Sequence, residues 1–209
     1  GGQSAALVCL ADERPRYASE ALVEYGGARR PAFYALQEAW APLAVYAALP
    51  DGLFARAGEV IRLPIWLLCG EGENRAFTVT ASCFGPDGAL LSTVSFPAFA
   101  QGSVPAGALS VHLPGASCAL TVRVTATDEA GGPIARSDSI LCVFSEGDAP
   151  LGALLHPPRA ALRVSDGALV NEGGAAALAV SAGGRYGALL PGERLALSEA
   201  EAGFEALNA

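Results

Sequence analysis

Between Arg75 and Phe84 the chain alternates: Phe77, Val79, Ala81 and Cys83 are apolar, and Thr78, Thr80 and Ser82 are polar. A side-chain period of two belongs to a strand, because successive Cβ atoms leave opposite faces of a pleated backbone. Pro86-Asp87-Gly88 follows as a turn, with proline fixing φ and glycine supplying positive φ. Ala89–Phe96 is then the returning hairpin partner. The same period recurs at Cys118, Leu120, Val122, Val124 and Ala126, the longest inward face in the chain. Twenty-five glycines and 14 prolines agree with a turn-rich β protein rather than a helical bundle.

The other strands fall around this hairpin. Leu43–Leu49 is the first, where the apolar period changes from 3.6 towards 2, and Pro50-Asp51-Gly52 turns the chain. Glu59–Cys69 is the second; Pro64 inside it predicts an edge or a bulge, not a central rung. Residues 97–107 read as loop, Leu109–Leu113 as a short strand, and Ile134–Phe144 as the return from a turn at Asp128–Pro133. Short strands with regular turns predict a two-sheet sandwich of immunoglobulin type over residues 43–147. Ser145–Pro150 reads as a linker. Residues 148–209 then give strands at Ala153–Leu155, Ala160–Val164, Ala168–Val170, Ala175–Val180 and Arg194–Leu197. About 60 residues is short for a complete sandwich, so a reduced one leaning on its neighbour is expected. Ser198–Leu207 fits either a helical turn or a strand.

Upstream the pattern is helical. Ala18, Ala21, Leu22 and Tyr25 fall on one helical face, and Gly26-Gly27 would end it. Pro31 suits a first helical turn; Phe33, Leu36 and Trp40 make an apolar stripe; Pro42 stops the helix. The stripe predicts Trp40 in a core or an interface, and Trp66 in an apolar strand is expected to be buried too. Residues 5–11, AALVCLA, fit a buried parallel strand, followed by a loop at Asp12-Glu13-Arg14-Pro15.

The stretch SEALVEYGGARRPAFYALQEAWAPL resembles the end of the catalytic barrel in family 2 glycoside hydrolases, the β-galactosidase, β-glucuronidase and β-mannosidase group. That pattern runs close to S-x-A-L-V-D-Y-x-G-R-x-K-P-A-Y-Y-A-L-K-R-A-F-A-P. Ser19, Ala21, Leu22, Val23, Tyr25, Gly27, Arg29, Pro31, Ala32, Tyr34, Ala35, Leu36, Ala39 and Pro42 hold matching places. Glu24 stands for an aspartate and Arg30 for a lysine. The order of strand, acidic loop, strand and D-G hairpin in GEVIRLPIWLLCGEGENRAFTVTASCFGPDGALL is similar to the domain that follows that barrel. GRYGALLPGERLAL is similar to the F-x-L-L-P-G-E turn of the terminal sandwich in the β-mannosidase branch, with Leu189, Leu190, Pro191, Gly192 and Glu193 matching. The resemblance implies a mainly β chain: a last strand and helix of a TIM barrel over 1–42, then immunoglobulin-like sandwiches. It also places Asp12 and Glu13 on the barrel rim, as candidate substrate contacts. Cys9 and Ala11-Asp12 stand where the family has tryptophan and Asn-Asp, so its aromatic sugar platform is missing at this rim.

Composition narrows the partners. A net charge of −8 disfavours a nucleic-acid ligand, whose affinity comes from lysine and arginine on phosphates. No apolar run reaches about 18 residues, so no membrane helix is expected. Five widely spaced cysteines, Cys9, Cys69, Cys83, Cys118 and Cys142, contain no C-x-x-C. Reduced core thiols and a cytoplasmic rather than secreted location are expected; an inter-sheet disulfide is the rival reading.

Catalytic signals are sparse. Retaining glycoside hydrolysis needs two carboxyl groups about 5–5.5 Å apart. The sole Asn-Glu, Asn171-Glu172, sits in a glycine-flanked stretch and reads as a turn. His112 and His156, the two histidines, read as solvated or hydrogen-bonded. No catalytic residue, metal ligand or cofactor is therefore assigned. The expected role is a non-catalytic accessory region of a hydrolase acting on terminal β-linked sugars. Its expected partner is the rest of that barrel, with self-association through Leu7, Val8 and Leu10 if the barrel is missing. The rival is a free-standing carbohydrate-binding or adhesion module, for which Phe96 and Phe99 are the candidate exposed platform.

Overall fold

The computed structural model describes residues 22, 23, 29, 31–50, 53–70, 76–99, 102–182, 184–197 and 204–209. The chain forms two compact units, Gly1–Trp40 and Ala41–Ala209. The strand expected at 5–11 lies outside the described residues.

In the first unit, helix α1 spans Pro31–Ala39. Proline opens it without loss, because the first-turn N–H has no intrahelical acceptor. Among its described side chains Tyr34 is buried, set edge-on to Phe33 at 5.6 Å between ring centroids. Trp40 is 67% exposed, which corrects the expectation that it packs. It follows the last residue of the helix, so the apolar stripe runs past the helix end. The helical reading through Leu22 and Val23 also fails, since Val23 forms an antiparallel bridge with Arg29.

The second unit is a β structure. Its strands are β1 (Leu43–Ala47), β2 (Phe54–Arg56), β3 (Val60–Cys69), β4 (Ala76–Phe84), β5 (Leu90–Phe99), β6 (Ser103–His112), β7 (Cys118–Thr127) and β8 (Pro133–Phe144). After helix α2 (Gly152–Leu155) come β9 (Leu162–Ser165), β10 (Ala168–Asn171), β11 (Ala177–Ala182), β12 (Arg185–Leu189) and β13 (Arg194–Ala196). A three-stranded sheet β1-β3-β6 faces a five-stranded sheet β2-β8-β7-β4-β5, the pairing of an immunoglobulin-type sandwich. Leu63, Ile65, Leu67, Leu109 and Val111 from one sheet meet Phe77, Val79, Ala81, Leu120, Val122, Val124 and Leu141 from the other in one buried core. The alternation on β4 and β7 thus marks the inner face.

Three expected elements differ from the sequence reading, and β2 and β12 are strands that it does not contain. Residues 97–107 are mostly strand: β5 runs to Phe99 and β6 starts at Ser103. Both are edge strands, where Pro97 and Pro105 need no second ladder partner. Pro64 sits in β3, the middle strand of its sheet. Its carbonyl accepts from Ala48 N at 2.8 Å just where β1 stops, so the absent N–H breaks no rung. A register shift lies nearby, between Ile65 and Trp66, with Ala106 as the extra residue on β6. Finally, Ala153–Leu155 is helical in α2, closed by bonds from Leu154 N and Leu155 N to Leu151 O. A three-residue apolar run carries too little periodicity to choose between helix and strand.

The C-terminal strands make two small sheets, β13-β10-β9 and β11-β12. Their core holds Ala160, Leu169, Ala177, Val180, Ala182 and Leu189. A third cluster, Ala119, Ala176, Leu178 and Leu190 with Phe84, Ile140 and Leu154, joins this core to the outer face of the large sheet.

Candidate functional site

Strands β7 and β8 point Leu120, Val122, Val124 and Leu141 inward, so Thr121, Arg123, Asp138 and Ile140 necessarily face outward. Arg123 and Asp138 are direct cross-strand neighbours in the ladder. Charged groups at the centre of a sheet face are normally wet. Here the C-terminal strands cover them: the Asp138 side chain is 4% exposed and Arg123 11%.

Each carboxylate oxygen and each Arg123 side-chain nitrogen then has a partner. Arg123 Nε donates to Asp138 Oδ1 at 2.7 Å. Its terminal nitrogens reach Glu193 Oε1, Glu193 Oε2 at 3.2 Å and the Ala188 carbonyl at 3.1 Å. Arg136 donates to Asp138 Oδ2 at 2.7 Å and to the same Ala188 carbonyl at 3.0 Å. Ala188 N donates to Asp138 Oδ2 at 3.0 Å, and Leu190 N to Glu193 Oε2 at 2.9 Å. The Arg123 guanidinium also lies over the Phe84 ring, 5.6 Å from its centroid. Burial pushes the Asp138 carboxyl up, but hydrogen bonds and charge from Arg123 and Arg136 outweigh it and hold the group below its ordinary value. Burial likewise works against the charged Arg123, and Asp138 and Glu193 reverse the sign and raise it.

Steric fit extends this latch along the interface. The Pro86-Asp87-Gly88 turn meets the L-L-P-G-E turn at Pro191, and Pro86 O accepts from Ala176 N, just before β11, at 2.8 Å. Gly88 has φ +76°, and a Cβ there would lie 2.5 Å from Pro191 Cδ. A Cβ on Gly187 would lie 2.7 Å from Asp138 Oδ2. Glu193, which matched the L-L-P-G-E pattern, thereby ties the small core to the large sheet by an ion pair. Arg123, Arg136 and Asp138 went unread in the sequence; their one signal is charge on long strands that are otherwise uncharged.

The sequence candidates do not converge. Asp12 and Glu13 lie outside the described residues. His112 and His156 are exposed on separate elements. Asn171 is fully buried at the end of β10, its side-chain amide donating to Ala175 O and Leu189 O, both at 2.8 Å, and accepting from Gly173 N at 3.1 Å. Phe96 and Phe99 leave opposite faces of β5: Phe96 packs on the core, and Phe99 is exposed. Trp66 is half-buried on the outer face of β3, paired with Tyr46 across β1, rather than in the core. Cys83, Cys118 and Cys142 are free thiols, and burial, with a smaller contribution from Cys118, pushes Cys83 up to about 12. Among the described residues, no three His, Cys, Asp or Glu side chains are grouped to hold a metal, and no helix is long and apolar enough to cross a membrane.

No protein-family model and no curated protein matches the chain. Solved structures do. A β-D-mannosidase from Dictyoglomus thermophilum matches 85% of this chain at a TM-score of 0.54 and 14% identity. A glycosyl hydrolase family 2 member from Bacteroides cellulosilyticus DSM 14838 matches 48% at 0.39 and 10% identity. A β-glucuronidase from Bacteroides uniformis matches 48% at 0.35 and 16% identity. The chain spans 22% of the mannosidase, 15% of the family 2 member and 13% of the glucuronidase. Of these three, the mannosidase alone reaches a TM-score above 0.5, and at 14% identity the likeness is one of fold.

Proposed function

We propose that the chain is the non-catalytic C-terminal region of a family 2 glycoside hydrolase that cleaves terminal β-linked sugars. In this reading residues 1–42 carry the last strand and helix of the barrel. Residues 43–147 are the immunoglobulin-like sandwich, and 148–209 a small second one. The barrel upstream supplies the two carboxyl groups that the chemistry requires, and it is the partner of this region. The observation that carries the reading is the extent of the mannosidase likeness: 85% of the chain is more than residues 43–147 alone supply. The latch supports it in physical terms. A four-residue ion network, centred on the buried Arg123–Asp138 pair, that fixes one β core against another is suited to holding a scaffold rigid, not to turning over a substrate.

The test is the intact mass and sequence of the protein from its native source, followed by assay on aryl β-glycosides. A longer chain with a barrel upstream, active where the 209-residue chain is inactive, supports the proposal. A native product of 209 residues, or hydrolysis by that chain alone, refutes it.

One observation favours a second reading, a carbohydrate-binding module. Tyr46 and Trp66 are cross-strand partners on the outer face of β1-β3-β6, with Pro105 beside Trp66 on β6. Aromatic faces paired in this way can stack on a sugar ring. Glycan-array binding by the chain, abolished by Tyr46→Ala, would favour this reading; an array without signal removes it.

A further inference from the structure

We infer that residues 204–209 act as a conformational strap: their seating sets a bulge in β11 and thereby governs docking of the small β core onto the large sheet. The bulge is the starting point. Ala177 pairs with Leu189 and Val180 with Gly187, so Leu178 and Ala179 together oppose Ala188. In a regular strand, residues 177 and 180 would face opposite sides. The extra residue puts both into the small core and turns Leu178 the other way, into the interface cluster with Ala119, Ala176 and Leu190. Ala179 is held at φ +51°, a conformation that a non-glycine residue keeps only when its surroundings impose it.

The strap supplies that surrounding. Leu178 N donates to Asn208 Oδ1 at 2.8 Å, and Leu178 O accepts from Leu207 N at 2.9 Å. Both polar groups of the bulged residue are thus satisfied from 207–208. Asn208 is anchored in turn. Its side-chain amide donates to Pro158 O at 2.6 Å and Ala176 O at 2.9 Å, and its main-chain carbonyl accepts from Ala160 N at 2.8 Å. Glu205 bridges Ser181 in both directions, at 2.8 and 3.1 Å. Asn208 is 7% exposed, so no water replaces these bonds cheaply. Without the strap, Leu178 has a buried donor and acceptor unanswered. Rejoining the β12 ladder satisfies them, and with Val180 kept in the small core that regular register turns Leu178 to the same side, away from the large sheet.

The experiment is native-state hydrogen exchange on the full chain and on Asn208→Ala. The reporters are Ala188 N, which reaches across the interface to Asp138, and Leu190 N, which is bound to Glu193. The strap predicts that both lose protection by at least about tenfold, together with Leu178 and Ala160. Loss confined to Ala160, Leu178 and Ser181, with Ala188 and Leu190 unchanged, overturns it. A second variant covers the case in which Asn208→Ala does not fold. Leu178→Ala leaves every strap hydrogen bond intact while removing the docked side chain. Because coupling is reciprocal, it must lower protection at Leu207 N. Unchanged Leu207 exchange, with Ala188 exposed, means that strap and docking are independent and overturns the inference.

Discussion

Replacing Arg123 with methionine is the sharpest test of the latch. The substitution keeps a long apolar stem in place and removes only the guanidinium. Asp138 then loses a 2.7 Å partner while 4% exposed, and the Ala188 carbonyl loses one of two donors. Removing one member of a buried pair costs about 3–5 kcal/mol when nothing replaces it. Here Arg136 and the Ala188 N–H still face Asp138, and Glu193 is 30% exposed and can hydrate. The expected loss is therefore lower, about 2–3 kcal/mol. At about 2–4 °C per kcal/mol for a unit of this size, Tm falls by about 4–12 °C. Urea unfolding followed by circular dichroism reads this directly. Arg163→Met is the control: Arg163 and Glu172 are 3.7 Å apart and 68% and 50% exposed, so its loss stays within about 0.5 kcal/mol. The sign with pH is fixed by Asp138. Its carboxyl lies below the ordinary 3.8 in the folded chain, so its stabilisation is complete above that value and fades as pH falls through the lower folded one. The gap between the unsubstituted chain and Arg123→Met is thus flat from pH 7 to about 4 and narrows below. A methionine variant as stable as the original refutes the reasoning, because it would mean that the pair only breaks even against an apolar side chain.

Three further outcomes follow from single environments. Thr121 Oγ1 is buried at the interface with no hydrogen-bond partner, so Thr121→Val should raise stability by about 1 kcal/mol in the same urea experiment; a loss would mean that the hydroxyl has a partner in solution. A Cβ at Gly107 would lie 2.4 Å from the Phe96 ring, which covers the β6 backbone beside the bulge; Gly107→Ala should cost about 1–3 kcal/mol, and Phe96→Leu in the same chain should recover part of it. With its thiol pushed up to about 12, Cys83 should resist iodoacetamide at pH 8 in the folded protein while all five cysteines react after unfolding; peptide mapping that finds folded Cys83 labelled at the unfolded rate contradicts its burial.

The large sandwich was legible because its inner faces obey a local rule. Phe77, Val79 and Ala81, like Leu120, Val122 and Val124, announce themselves two residues at a time, and all six are buried. What failed were places where tertiary context overrides that rule. Pro64 and Pro97 look like breakers, yet each sits where no ladder donor is needed. β2 was invisible: Phe-Ala-Arg is too short for any period, and it exists because β8 offers a parallel edge at Cys142–Phe144. The β11 bulge was hidden for a related reason. Ala177, Leu178, Ala179 and Val180 are all apolar, so nothing in the letters says which pair shares a face. The latch needed three separate segments, 123, 136–138 and 193, to come together across the fold, and the sequence pattern is silent on contacts at that range.

The L-L-P-G-E turn shows how these levels join. Its spelling reads locally as a turn: proline, then glycine at φ +78°. A turn alone would accept many residues in the last place. Glu193 is required there because one of its oxygens takes the Leu190 N–H and closes the turn, while the carboxylate as a whole pairs with Arg123 on the large sheet. Leu190 two residues before the glycine enters the interface cluster, and Pro191 packs against Gly88 of the β4–β5 hairpin. Three of five residues therefore serve contacts with the other core. A core this small buries too little apolar surface to stand alone, so the elements that shape it also attach it. In the proposed setting the same logic makes the region rigid from the sandwich to its last strand, which is the property a scaffold behind a catalytic barrel requires.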